Sequence, residues 1–316
     1  MSYTGPEFET PQPRRPRRGP LTVALAALVP GALLGWAVYE AVGGGGSDHA
    51  ASAASASGTS TASSSHPSHS SPSTDSASPA GDGKDAADGS GSLAGKVVVI
   101  DPGHNQGNFQ HAGEINRQVD IGTNKKECDT TGTSTNDGYT EARFTLDVAH
   151  RLRTLLEKQG ATVKLTRDGD SPAWGPCVDE RARFGNDAHA DAAISIHADG
   201  AAEGDRGFHV ILPGSVHAGA ADTRKIVGPS RDLGTRVAGN FLRDTAEPPS
   251  NYVGKGTGLV TRTDLGGLNL STVPKVFIEC GNMRDSKDSA LLTSGAWRQK
   301  AAQGMSDGIV SFLRES

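Results

Sequence analysis

Aromatic residues are scarce in this chain of 316 residues, at 5%, and so are cysteines, of which there are three. Three cysteines are too few for a small scaffold built on disulfides, although two could pair if the chain leaves the cytoplasm. Charge of one sign is also missing: 31 Lys and Arg stand against 36 Asp and Glu, for a net charge of -5. A near balance of this kind argues against a general nucleic-acid binder, which needs a basic face. No internal repeat is visible. A nucleotide signature is absent too, since the glycines from Gly43 to Gly46 follow no buried strand and lead to no P-loop Lys-Ser/Thr. With 41 Gly and 17 Pro and so few large apolar side chains, part of the chain cannot be packed core.

What is present divides along the chain. Residues 1–20 form a basic tail, in which Arg14, Arg15, Arg17 and Arg18 are expected to stay in the cytoplasm. Residues 21–42 are expected to form a transmembrane signal-anchor. The stretch from Leu21 to Tyr39 carries no charge, and at roughly 1.5 Å per residue a helix of that length nearly spans a hydrocarbon core of about 30 Å. The segment also reads as a cleaved signal peptide, with Pro30-Gly31 interrupting it and Ala51-Ser52-Ala53 as a small-residue cleavage pattern. Both readings place the remainder of the chain outside the cytoplasm, anchored to the membrane in the first and secreted in the second. Residues 43–92 are nearly all Ser, Ala, Gly, Thr and Asp. They are expected to be a disordered tether, because they cannot bury enough apolar surface to offset their ordering entropy. His49, His66 and His69 within it read as solvated filler.

Residues 93–316 are long enough for one domain with a sizeable core. Lys96 to Asp101 reads as a buried strand bounded by Pro102-Gly103. Glu141 to Lys158 reads as a helix, with Phe144, Val148, Leu152 and Leu155 at helical spacing and Gly160 as its stop. A strand from Ala161 to Thr166, a short helix from Asp179 to His189 and a strand from Ala192 to Ile196 come next. Phe208 to Leu212, Val237 to Asp244 and Val276 to Ile278 continue the alternation, and Trp297 to Leu313 closes it as an amphipathic helix. The expected fold class is α/β: a single domain with a mostly parallel or mixed central sheet flanked by helices.

Ligands of open α/β sheets bind beyond the carboxyl ends of strands. His104 lies just after the first strand, Glu141 opens the first long helix, His197 ends the Ala192 strand and Glu279 ends the Val276 strand, so all four can reach one rim. Two imidazoles and a carboxylate form a catalytic zinc set that leaves one coordination position open. A second carboxylate can then shuttle the proton. Each residue also has an ordinary reading taken alone: a turn histidine, a helix-start acid, a satisfied loop histidine, a carboxylate paired with Arg284. The pattern by itself points only to a zinc hydrolase.

Four ordered motifs carry a resemblance. They are Val98-Val99-Ile100-Asp101-Pro102-Gly103-His104, the Glu141 helix closing in Gly160 to Arg167, Ser195-Ile196-His197-Ala198-Asp199, and Pro274 to Asn282. From about Gly95 to Leu313 the chain resembles the zinc-dependent N-acetylmuramoyl-L-alanine amidases of the type 3 family. The resemblance implies one zinc ion held by His104, Glu141 and His197, with Glu279 catalytic. It implies hydrolysis of the amide between muramic acid and L-alanine, with peptidoglycan as partner. The long Asn105 to Thr140 segment departs from plainer members and is expected to form one wall of the groove. A disulfide between Cys128 and Cys177 resembles pairs in mycobacterial-type members. Arg167, Asn282 and Arg284 are candidate contacts for a stem-peptide carboxylate, and Cys280 reads as a buried apolar side chain. The runner-up readings are a wall-binding protein without turnover and a zinc peptidase acting within the stem peptide.

Overall fold

The strand expected at Lys96 is β1, Val97–Pro102. A short helix α1 (Ala112–Ile115) and a hairpin of β2 (Gln118–Asp120) and β3 (Lys125–Glu127) interrupt the long segment after it. Helix α2 spans Glu141–Lys158, the expected bounds, with Phe144, Val148, Leu152 and Leu156 buried and Gly160 at positive φ just beyond its end. Next are β4 (Thr162–Leu165), α3 (Val178–Asp187), β5 (Ala192–Asp199) and β6 (His209–Pro213). A two-residue pairing of β7 (His217–Ala218) with β8 (Ala221–Asp222) leads to α4, Val227–Thr245. After β9 (Leu259–Arg262) and α5 (Gly266–Asn269) come β10 (Lys275–Asn282), α6 (Ser286–Leu292) and α7 (Gly295–Glu315). This is a computed structural model and describes residues 92–169 and 171–315. The basic tail, the apolar 21–42 segment and the tether up to residue 91 lie outside the described residues. Among the described residues no helix is long and apolar enough to cross a membrane.

The sheet has six strands in the order β4-β1-β5-β10-β6-β9. Its pairings are parallel except for β10 with β6, which is antiparallel. Val237 to Asp244 lies inside α4, and β9 and the two small hairpins are elements that the hydrophobic pattern does not announce.

Strand alternation divides the sheet into two chemically different faces. Val98 and Ile100, Ile194 and Ile196, Val276 and Ile278, and Val210 and Leu212 enter one core with Phe144 and Leu152 of α2, Val237 and Phe241 of α4, and Met305 and Ile309 of α7. There α4 and α7 cross so closely that a Cβ at Gly304 or Gly308 would lie 2.7 Å or 2.6 Å from the α4 backbone. The opposite face carries Asp101, Ser195, His197, Phe277, Glu279 and His209, and its apolar part is small: Val99 and Ala193 with Ala190. Hydrophobic burial of the first face therefore sets the register that presents the polar residues on the second.

Candidate metal centre and its setting

His104 comes two residues after β1, in the left-handed region at φ 55°. A non-glycine residue persists there only when its surroundings hold it. The Arg181 guanidinium donates to the His104 carbonyl at 3.1 Å, and Thr145 Oγ1 and Arg167 Nη2 donate to that of Gly103 at 2.8 Å and 3.1 Å. The His104 ring is oriented by the Thr130 carbonyl, 3.1 Å from Nδ1, and by Asp129 Oδ1 at 3.3 Å, which leaves Nε2 for the site. Glu141 opens α2, and its Oε1 lies 3.2 Å from His104 Nε2 and 3.0 Å from His197 Nδ1. Its Oε2 accepts from the Thr133 backbone N–H at 2.9 Å. His197 stacks on Phe277 with ring centroids 5.2 Å apart and planes nearly parallel.

One donor atom from each of His104, Glu141 and His197 lies within 4.8 Å of the others, so the expected residues are brought together. Three ligands about 2.0–2.2 Å from one ion stand roughly 3.4 Å apart in tetrahedral geometry, close to these spacings. Burial opposes charge on His104, yet Glu141 and Asp129 outweigh it and hold the imidazole up to about 10, so the carboxylates favour a positive charge here, which a metal ion can supply once the imidazole proton leaves. Burial opposes ionisation of Glu141 too, but the two imidazoles hold its carboxyl well below the usual range. A group of ionised acids around imidazole nitrogens is a setting that favours a cation.

Glu279 stands in register with His197 on β5 and with His209 on β6, so the three side chains share one row of the polar face. A bulge comes after it, between Glu279 and Asn282. Its Oε2 is buried with no hydrogen-bond partner among the described residues. Burial, and then the nearby Glu141 and Asp199 carboxylates, push the Glu279 carboxyl well above the usual range. An unpartnered buried acid beside a ligand group is the arrangement expected where a reactant supplies the partner.

The three candidate substrate contacts separate. Arg167 is buried and spends its donors on the carbonyls of Pro102, Gly103 and Ala142 and on Thr145, bracing the first-ligand turn against α2. Asn282 is buried, donates to the Ala202 and Asp205 carbonyls and accepts from the Arg284 N–H. Both are buried and hydrogen-bond to the fold, Arg167 through Nε and Nη2. Arg284 is exposed and donates to the Ser134 carbonyl at 3.3 Å, and among the described residues it pairs with neither Asp285 nor Asp288. Cys280 is buried and unpaired, and Cys128 and Cys177 form a disulfide.

Sequence reasoning missed the frame. Arg181, 4% exposed, pairs with Asp101 at 2.7 Å and Asp129 at 2.9 Å and donates to four backbone carbonyls from Pro102 to Pro176. Asp101 also accepts from Thr166 and, through a very short contact, from Ser195. His209 and Tyr252 were missed as well: their rings meet edge-on at 6.0 Å, and the Tyr252 hydroxyl donates to Asp199 at 2.8 Å. The strand-end position of His209, one residue after Phe208, gave no separate signal.

An α/β sheet with a two-histidine, one-glutamate cluster and a spare buried carboxylate at its strand ends defines a class of hydrolase-like folds, and comparison narrows it. A family model described as N-acetylmuramoyl-L-alanine amidase matches residues 98–311. The N-acetylmuramoyl-L-alanine amidase Rv3717 of Mycobacterium tuberculosis is 42% identical over 224 residues, covering 70% of this chain and 88% of that protein. The crystal structure of the amidase Ami1 from Mycobacterium smegmatis superposes with a TM-score of 0.65 at 40% identity, covering 71% of this chain and 99% of that one. The apo form of Ami1 from Mycobacterium abscessus gives 0.63 at 39%, over 70% and 100%. The chain belongs to the N-acetylmuramoyl-L-alanine amidase family.

Proposed function

We propose that this chain is a zinc-dependent N-acetylmuramoyl-L-alanine amidase, which hydrolyses peptidoglycan at the amide between N-acetylmuramic acid and the L-alanine of the stem peptide. The identity of the cleaved bond comes from the family. The observation that carries the mechanism is the convergence of His104, Glu141 and His197 with Glu279 in the same row. The donor set suits zinc: two imidazole nitrogens and a carboxylate, with His104 oriented through its other nitrogen. A zinc ion there supplies Lewis-acid polarisation of the scissile carbonyl and a lowered pKa for the attacking water.

The rest falls to the protein. Glu279, unpartnered and raised by burial, takes the proton of the attacking water and returns it to the leaving L-alanine amine. Asp129 and the Thr130 carbonyl hold the His104 tautomer, while Arg181 and Arg167 hold the turn that carries it. Of the three candidate carboxylate contacts only Arg284 is exposed, and it lies against Ser134 at the edge of the site. The organisation that accompanies this activity is a basic tail (1–20), a membrane anchor or signal segment (21–42), a tether (43–92) and a catalytic domain (93–316) working outside the cytoplasm.

The test is zinc content and product masses for the chain incubated with muramoyl-peptide, beside Glu279→Ala. Stoichiometric zinc in both, with stem peptides beginning at L-alanine released by the wild type and reduced about 100-fold or more in the variant, is the expected result. Zinc without cleavage points to a silent wall binder. Cleavage inside the peptide replaces the amidase with a peptidase.

A further inference from the structure

Two cavities flank the ligand cluster, and their chemistry differs. One, of about 240 Å³, is lined by His104 and His197 together with Lys126, Glu127, Asp129 and Arg181 among others. The other, of about 480 Å³, is bordered by Phe109, Thr131, Gly132, Thr133, Ser134 and Thr140, and its wall holds no ionisable side chain. It abuts the cluster directly. A Cβ on Gly132 would lie 2.8 Å from the His104 ring and 2.9 Å from Glu141 Oε2, and the Thr133 N–H donates to that same oxygen.

Phe109 gives this second groove its character. It is 69% exposed, one of three large hydrophobic side chains exposed among the described residues. Single exposed hydrophobics are ordinary on protein surfaces, but this one is held out on an anchored turn. The turn Asn108–Gln110 is pinned by the buried Asn108 side chain, which donates to the Thr130 carbonyl at 2.7 Å and accepts from the Gly175 N–H at 2.8 Å. In the same lining the Thr140 hydroxyl sits at the start of α2 without capping it, so it is available to a ligand. An exposed ring on an anchored turn, in a groove whose other lining offers uncharged hydroxyls, is a surface for a pyranose, which offers an apolar C–H face and a rim of hydroxyls.

We propose that the Phe109 groove is the glycan subsite. It takes the muramic acid ring and the sugar beyond it, with Phe109 stacked on a sugar face and Thr140 and its neighbours bonding the sugar hydroxyls. The stem peptide, which carries the charges of the substrate, leaves on the side lined by the ionisable Lys126, Glu127, Asp129 and Arg181, where Lys126 also pairs with Asp264 at 3.2 Å. This rests on the amidase reading and adds the direction in which the substrate lies across the site.

The test compares two substrates with the same stem peptide on the full zinc-loaded chain: a disaccharide-peptide and a D-lactyl-peptide that lacks the sugar ring. The expected result for Phe109→Ala is a loss of about tenfold in kcat/KM on the disaccharide-peptide, carried by KM, and a change within about twofold on the lactyl-peptide. Phe109→Trp retains the preference for the sugar, and Thr140→Val loses a few-fold on the disaccharide-peptide alone. Equal losses on both substrates, or no loss on either, overturn the proposal. Failure of the zinc-loaded wild-type chain to cleave both substrates is a different result: it removes the amidase reading itself, and the subsite with it.

Discussion

His209 shows what burial does to a single residue here. It stands beside Glu279 across the β10–β6 pairing, 5% exposed, with Nδ1 lacking a partner among the described residues. Burial pushes its imidazole down to about 4, with Asp199 opposing and Arg262 adding. Between pH 4 and about 6.5 the unfolded chain therefore binds a proton that the native chain does not, so stability falls as pH drops through that window. Comparison of urea unfolding for the wild type and His209→Gln isolates the effect. The wild type is expected to lose up to about 3 kcal/mol more than the variant between pH 7 and pH 4, and parallel curves would rule the effect out. The candidate ligand and acid residues were legible in the sequence because histidines and glutamates at strand ends and a helix start stand out from their surroundings. Arg181 was not legible, since an arginine on a short polar helix is ordinarily a surface residue and only its partners, far apart in sequence, reveal it.

At the scale of elements, the segment between β1 and α2 is the part most dependent on its fastenings. It contains α1 and one small hairpin, and the disulfide from Cys128 to Cys177 closes a separation of 49 residues. Chain-entropy estimates value a loop of that size at about 4 kcal/mol. Cys128→Ala/Cys177→Ala is expected to lower unfolding free energy by about 2–4 kcal/mol in denaturant titration and to weaken zinc retention, because Asp129 and Thr130 come directly after Cys128. Unchanged zinc affinity would mean that Arg181 alone holds the His104 partners. Helix α2 was legible to its ends because a period of 3.6 residues, an opening acid and a closing glycine agree. The strand β9 was not, because a short, half-buried strand leaves little hydrophobic pattern.

For the whole molecule, the proposed zinc site couples metal binding to folding. Binding to the native state alone adds about 2.7 kcal/mol at a zinc concentration 100-fold above Kd. Chelation is expected to abolish hydrolysis and lower Tm by about 5–10 °C, both restored by zinc. His104→Ala and His197→Ala are expected to show the lower Tm without added chelator. A chelated chain that keeps full activity would remove the metal from the mechanism.

The sequence alone determined the alternation of strands and helices, the bounds of the main helix, the ligand residue types and, through four ordered motifs, the family. These are local or collinear properties: periodicity, capping and motif order are written in neighbouring residues. Tertiary structure alone decided that Arg167 and Asn282 are buried and bonded to backbone carbonyls, that Arg181 ties Asp101 to Asp129, and that both a groove lined by Phe109 and uncharged residues and a cavity lined by Lys126 adjoin the ligand cluster. Those outcomes depend on which side chains meet across long stretches of chain, and the burial of the apolar sheet face sets that meeting, with the polar face determined in turn.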